Sequence, residues 1–213
     1  MKRPRILLGD DHAIILDGLR RILEAHFEIV GAVEDGRALV AAAEKLRPDI
    51  IVVDISMPLL NGIEAARQIR KALPQTKVIF LTMHPDATYA TEAFRAGALG
   101  YVLKNSASSE LVTAIQEALK GRTYLTPLVA KDAIASWVQA PGQPEAPSAS
   151  LTPRQREILQ LVAEGRSPKD IASILNISPR TAEFHKYRIM EVLGLRTTAE
   201  LTQYAVKHGI VSV

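Results

Sequence analysis

Five residues in the first half of the chain have types and spacing that could do chemistry together. Asp10 and Asp11 follow a short apolar run at Arg5–Leu8, and Asp54 follows one at Ile50–Val53. Thr82 follows Val78–Leu81, and Lys104 follows Tyr101–Leu103. If these runs are strands of one parallel sheet, their carboxyl ends gather on the edge where such sheets bind ligands. Three carboxylates would then meet a hydroxyl and an ammonium. Crowded carboxylates repel one another unless positive charge sits among them, and a hard divalent cation with oxygen ligands, usually Mg²⁺, supplies it. Asp54 could then attack a phosphorus centre, with Mg²⁺ and Lys104 neutralising charge on the equatorial oxygens and Thr82 donating a hydrogen bond to one of them. No general base is needed, because a carboxylate is already a nucleophile. Taken singly, each residue has a plainer role: a strand-end aspartate as an N-cap, Thr82 as a cap, Lys104 as a solvated side chain. The combination on one edge points to chemistry.

The elements that must position these residues are visible as alternation. A further apolar run, Phe27–Val33, completes five, and between the runs lie segments of helical period such as Ile15, Leu19, Ile22 and Leu23, or Leu111, Ile115, Ala118 and Leu119. Gly36, Pro48, Gly62, Pro74, Gly97 and Gly121 mark the junctions. Five strands alternating with five helices predict a parallel sheet covered on both faces, in an order that the pattern alone does not fix. Residues 139–150, QAPGQPEAPSAS, contain Pro141, Pro144 and Pro147 and almost no large apolar side chains. Such a stretch cannot bury enough surface to offset its ordering entropy, so a linker is expected there. Beyond it no strand alternation occurs, and four helices are predicted at Pro153–Glu164, Pro168–Leu175, Pro179–Leu193 and Ala199–Lys207. Thr152-Pro153, Ser167-Pro168 and Ser178-Pro179 each set an N-cap before a proline at the first helical position.

Composition narrows the function classes. The chain has no cysteine, which excludes a disulfide framework, a thiolate metal site and a cysteine nucleophile. The opening MKRPRILLGDDHAIIL has a basic head and an apolar run, but Gly9-Asp10-Asp11 interrupts it too early for a signal peptide. No stretch approaches the ~18–20 apolar residues of a membrane span, so a cytoplasmic protein is expected. The net charge is only +3, and residues 151–213 carry nine Lys/Arg against six Asp/Glu. A mildly basic second half permits nucleic-acid binding without demanding it.

That second half places two helices around Leu175-Asn176-Ile177-Ser178. Ala172, Leu175, Ile177, Ala182, Ile189 and Leu193 supply interior contacts. Arg180, Glu183, Phe184 and Tyr187 then fall on the outward face of the third helix, flanked by Lys186 and Arg188. A major groove can accept such a helix, whose N-terminus adds amide donors for phosphate. On spacing alone, an ordinary helical bundle with a solvated charged face fits equally well.

The segments GDDHAIILDGL, VVDISMPLLNGIEA, IFLTMH and GALGYVLK resemble the receiver domain of bacterial two-component response regulators, particularly the NarL/FixJ-type subfamily, over about residues 1–125. The resemblance implies a doubly wound α/β fold with five strands in the order 2-1-3-4-5. By position it implies Asp54 as phosphoacceptor, Asp11 as a direct Mg²⁺ ligand, Asp10 as a ligand through water, and the backbone carbonyl of Ser56 as another. It likewise implies that Thr82 and Lys104 contact the phosphoryl group and that Thr82 and Tyr101 form the switch. Asn105 departs from the family, where many receivers carry proline in a cis peptide after the lysine. Ser56 and His84, two residues beyond Asp54 and Thr82, occupy variable positions flanking the path of attacking water and would tune dephosphorylation. His84 before Pro85 is equally the plain start of a loop.

LTPRQREIL, KDIASILNIS and RTAEFHKYRIMEVLG resemble the LuxR-type helix-turn-helix over nearly all of 148–213. An all-α, four-helix DNA-binding domain at 151–213 is thereby expected, joined to the receiver by a helical segment at 126–138 and the linker at 139–150. Position implies Glu183, Phe184 and Tyr187 as base-edge readers and Lys169, Arg180, Thr181, Lys186 and Arg188 as phosphate contacts. The family often has lysine at the place of Glu183; glutamate repels phosphate but can accept from a cytosine amino group. His185 matches a family histidine and is assigned to packing. The last helix, with Leu201, Tyr204 and Ala205, resembles a dimerisation surface and could equally close the core. The whole implies a transcription regulator rather than an enzyme. It would be phosphorylated by a sensor histidine kinase and bind promoter DNA as a homodimer when phosphorylated, with RNA polymerase a candidate partner and no membrane association. The receiver's expected contact face includes the fourth helix and fifth strand, with Ala90, Ala93, Phe94 and Val102 as neighbours. Three alternatives differ in chemistry. A flavodoxin-like binder would suffer repulsion between Asp10-Asp11 and a flavin phosphate. A haloacid-dehalogenase-type phosphatase would want an acid where Ser56 stands. An unphosphorylated interaction module would have no use for the full acidic set.

Overall fold

A computed structural model describes residues 3–131 and 151–211, which form two compact units. In the first, strands β1 (Arg5–Gly9), β2 (Glu28–Val33), β3 (Ile50–Val53), β4 (Lys77–Thr82) and β5 (Gly100–Leu103) alternate with helices α1 (Ala13–Leu23), α2 (Gly36–Leu46), α3 (Gly62–Ala72), α4 (Ala87–Arg95) and α5 (Ala107–Leu119). All strand pairs are parallel, and the sheet order begins β2-β1-β3-β4-β5.

Period-two alternation explains why the central strands read as continuous apolar runs: both faces are buried. Leu7, Ile51, Val53, Phe80, Tyr101 and Leu103 point to the side covered by α2, α3 and α4. Ile6, Leu8, Ile50, Val52, Ile79, Leu81 and Val102 point to the side of α1 and α5, where Leu16, Leu19, Leu23, Leu111 and Ile115 meet them. Because all the strands run parallel, their carboxyl ends share one edge, and that edge carries the polar residues.

The sheet has six strands, not five. Tyr124–Leu125 forms a short β6 that pairs in parallel with β5, Gly100 against Tyr124 and Tyr101 against Leu125. Two residues are too few to leave an apolar run or an alternation, so no periodicity announces this strand. The chain reaches it by turning at Gly121, whose φ of +78° only glycine adopts freely. Residues 127–131 are helical. The remainder of the expected connecting segment, and the expected linker, lie outside the described residues. The Lys104-Asn105 peptide is trans, within a 3₁₀ turn at Lys104–Ser106. Ala90, Ala93 and Val102, named as neighbours of the expected contact face, are wholly buried in the core.

The second unit contains α6 (Pro153–Ala163), α7 (Pro168–Leu175), α8 (Pro179–Leu193) and α9 (Thr198–Lys207). Each of the three Ser/Thr-Pro starts works as its chemistry dictates. Thr152 and Ser167 form capping boxes with Gln155 and Asp170, and Ser178 accepts from the Thr181 N–H at 3.1 Å. Leu159, Leu161, Ile171, Leu175, Ala182, Ile189, Leu201 and Ala205 make the buried interior. Ile177 and Leu193 are only half-buried.

Candidate functional site

The ends of β1, β3, β4 and β5 bring all five chemical residues to one edge. Asp10 and Asp54 are 1% and 4% exposed, so both carboxylates have left bulk water. The Asp54 N–H donates to the Gly9 carbonyl at 2.8 Å, which fixes the β3 exit against the β1 exit. One Asp54 oxygen, Oδ1, accepts from the Ile55 N–H at 2.7 Å. The other lies 2.8 Å from Lys104 Nζ, and the same ammonium is 2.8 Å from Asp10 Oδ2. Lys104 therefore bridges two buried carboxylates. Asp11 sits nearer the surface and pairs with His12 Nδ1 at 2.8 Å.

These neighbours set the local electrostatics. Burial pushes the Asp54 carboxyl above the usual range, against the opposing pull of Lys104. Burial also works against the Lys104 charge, but the two aspartates outweigh it and hold the ammonium above its ordinary value. Donor atoms of Asp10, Asp11, His12 and Asp54 all lie within 4.8 Å of one another. One lysine cannot neutralise three carboxylates, and a hard, oxygen-rich donor set with excess negative charge suits a divalent cation such as Mg²⁺.

Thr82 is fully buried at the end of β4, and its hydroxyl accepts the His84 N–H at 3.3 Å, which leaves the hydroxyl proton free to donate elsewhere. Tyr101 is buried as well; its phenol donates to the His84 carbonyl at 2.7 Å, and burial raises its pKa. The ring thus already lies inward. Ser56 and His84, separated by 28 residues, meet with Oγ and Nε2 at 3.0 Å. The His84 ring stacks on Tyr89 with centroids 4.3 Å apart, and burial lowers its pKa. Sequence reasoning missed His12 as a member of the acidic cluster. The only signal was its place directly after Asp10-Asp11, on the loop that opens α1.

In the second unit, α8 presents Arg180, Glu183, Phe184, Tyr187 and Arg188 to solvent. Phe184 and Tyr187 are 60% and 63% exposed, although large apolar rings usually seek cover. Lys169 is exposed at the start of α7, and Thr181 is half-buried at the α8 cap. Lys186 donates to Thr198 Oγ1 at 3.2 Å and lies 5.5 Å from the Tyr187 ring centroid. Arg188 pairs with Glu191 at 2.6 Å, an exposed pair one helical turn apart that contributes little and is easily given up to a phosphate. His185 is half-buried beside Phe184. Among the described residues no helix is long and apolar enough to cross a membrane.

Comparison with known proteins adds to this geometry. Residues 6–116 match the family described as response regulator receiver domain, and residues 149–205 match bacterial regulatory proteins, luxR family. Transcriptional regulatory protein MctR of Rhizobium johnstonii is 39% identical over 215 residues, with 99% of this chain and 98% of that protein covered. Response regulator UvrY of Escherichia coli is 33% identical, covering 96% and 94%. Among solved structures, RcsB of Salmonella enterica serovar Typhimurium, bound to promoter P1flhDC with the phosphomimetic BeF₃⁻, aligns with a TM-score of 0.63 at 28% identity. That alignment covers 97% of this chain and 100% of that one. A LuxR-family two-component response regulator from an Aurantimonas species aligns over 64% of this chain and 99% of its own, with a TM-score of 0.62 and 37% identity.

Proposed function

The chain belongs to the two-component response regulators that pair a receiver with a LuxR-type DNA-binding domain, and from that premise we propose that Asp54 accepts a phosphoryl group from a sensor histidine kinase and thereby controls promoter binding. The observation that carries the proposal is Lys104 Nζ, 2.8 Å from both Asp10 and Asp54. In the step itself, a carboxylate oxygen of Asp54 forms a bond to phosphorus as the bond from phosphorus to the donor's histidine nitrogen breaks. Lys104 turns from carboxylate to phosphoryl oxygen, and the Thr82 hydroxyl donates to another. Mg²⁺, held by Asp10, Asp11, Asp54 and the Ser56 carbonyl, would neutralise charge on the transferred group. The chain turns over no separate substrate; it is the acceptor, not an enzyme in the ordinary sense.

On the DNA side, Glu183, Phe184 and Tyr187 read base edges while Lys169, Arg180, Thr181, Lys186 and Arg188 hold phosphates. Phosphorylation promotes a homodimer, in which two linked half-site contacts turn a modest shift in association into a large change in occupancy. The test uses acetyl phosphate and Mg²⁺ with wild type and Asp54→Asn, following intact mass and promoter affinity together. Wild type should gain one phosphoryl group and bind more tightly; a labelled Asn variant, or a labelled wild type without tighter binding, rejects the proposal.

Contacts to phosphate also predict a salt signature. Arg188→Ala should weaken specific and random DNA alike and reduce the slope of log affinity against log salt by about 1. Titrations at several salt concentrations measure it. A variant with altered sequence preference but an unchanged slope would place Arg188 among the base readers instead.

A further inference from the structure

A buried polar relay beside the phosphoacceptor edge has no part in the function proposed above. Thr126 follows β6 and is 1% exposed. Its N–H donates to the Tyr101 carbonyl at 3.0 Å, continuing the β5–β6 ladder. Its own carbonyl leaves that ladder, accepting instead from the N–H groups of Val129 and Ala130 at 3.0 Å each, where the chain turns helical. The next donor along β5 is the Leu103 N–H, which has lost its strand acceptor. The Thr126 hydroxyl replaces it, accepting from Leu103 at 3.2 Å. The hydroxyl proton goes to Glu110 Oε2 on α5 at 2.8 Å, and that oxygen also accepts from the Tyr124 phenol at 3.1 Å.

Thr126 therefore holds the β5 backbone at two points, the Tyr101 carbonyl through its own N–H and the Leu103 N–H through its hydroxyl. Tyr101 is the residue whose phenol reaches the His84 carbonyl, and Leu103 directly precedes Lys104, the cation shared by Asp10 and Asp54. Three residues beyond Thr126, Val129 is fully buried in the same apolar cluster as Tyr101 and Leu103. The β5 exit and the outgoing chain are thus tied directly to each other.

We propose that Thr126, supported by Glu110, is a positioning residue: it fixes the β5 backbone around Tyr101 and Lys104 to the helical turn at 127–131, so that a shift of that backbone on phosphorylation is passed to the chain leaving the receiver. The proposal rests on phosphorylation of Asp54 as proposed above. A stitch that merely added stability would behave differently, because its loss would lower melting temperature without separating phosphoryl uptake from DNA response. Physical coupling requires that both sites bias one element, and on this proposal that element is the β5–β6 exit.

The experiment compares full-length wild type, Thr126→Val and Thr126→Ser. Valine keeps the branched shape but strips both hydrogen bonds from a buried site, whereas serine keeps the hydroxyl. Asp54 labelling by acetyl phosphate with Mg²⁺ is followed by intact mass, promoter affinity is measured with and without label, and amide exchange is followed over 124–131. The valine variant should still be labelled, yet its phosphorylation-dependent gain in affinity should fall by about fivefold or more, the size of a typical coupling between sites. Its 124–131 amides should no longer respond to labelling, and serine should restore both. A valine variant with the wild-type gain overturns the proposal, and so does an equal loss in valine and serine variants. If the valine variant does not fold, Glu110→Ala, which removes the acceptor of the Thr126 proton, must reduce the gain in the same direction; an undiminished gain there is equally fatal. A wild type that takes no label removes the underlying function instead, an outcome distinct from a labelled wild type whose gain the valine variant matches.

Discussion

A Gly62→Ala variant is expected to lose on the order of 3 kcal/mol of receiver stability, at the upper end of the cost of forcing an extra methyl into packed structure, and with it most phosphoryl uptake. Gly62 opens α3, and its N–H donates to the Ile55 carbonyl at 2.8 Å. A Cβ here would overlap the Asp54 carbonyl oxygen and stand 2.9 Å from the Asp54 carbonyl carbon and 3.1 Å from Val53 Cγ2. The first two are backbone atoms, which no rotamer change can move aside. Relief would require shifting the β3–α3 loop, and that loop carries Asp54 and Ser56. Stability and site geometry are thus hostage to the same absent methyl group. Gly18, in the middle of α1, is an internal control, because nothing lies within 4 Å of its added Cβ. Gly18→Ala should gain up to about 1 kcal/mol through helix propensity. Urea unfolding of both variants, with acetyl phosphate labelling, decides the matter: Gly62→Ala within 1 kcal/mol of wild type and normally labelled would falsify the close-approach argument.

The acidic site was legible in the sequence because it is built from strand ends. A parallel sheet collects all its carboxyl ends on one edge whatever the strand order, so Asp10, Asp54, Thr82 and Lys104 could be brought together before any order was known. Helix boundaries in the second unit were equally legible, because proline at the first helical position and a hydroxyl before it act within three residues. What the sequence hid is long-range or very short. The Ser56–His84 contact joins residues 28 apart, and neither type demands the other. Strand β6 has two residues, and its partner Thr126 looks like any threonine before a proline until its carbonyl is seen to turn away. The inward side of α4 was illegible for a related reason. Alanine suits buried and exposed positions alike, so Ala90 and Ala93 carry no signal of direction, and both turn inward. His12 shows the limit from the other side: it was adjacent in sequence to the acidic pair, but only the turn into α1 swings its ring to Asp11.

Asp54→Asn should make the metal-free receiver more stable at pH 8 than wild type, by about 1–2 kcal/mol, the scale on which removing a poorly compensated buried charge repays its desolvation. Two effects compete at this position. Lys104 at 2.8 Å favours the carboxylate, and burial disfavours it; burial wins, since the Asp54 carboxyl is held above its ordinary range. The folded chain therefore binds this proton more readily than the unfolded chain. The stability that Asp54 contributes is fully present below its unfolded pKa of about 3.9 and is lost as pH rises through the higher folded value. At pH 8 wild type carries the ionised, desolvated group and the asparagine variant does not, while Lys104 keeps Asp10 as partner at 2.8 Å. The advantage of the variant should shrink as pH falls through the folded pKa of Asp54. Lys104 does not blur this comparison, because its own raised pKa confines its loss of stability to alkaline solution. Adding Mg²⁺ should reverse the ranking at pH 8, since a ligand that binds only the folded state stabilises whichever chain offers the full carboxylate set. Thermal unfolding from pH 5 to 8, first with chelator and then with Mg²⁺, measures all three trends. An asparagine variant less stable than wild type at pH 8 in chelator would mean that Lys104, not burial, dominates at Asp54.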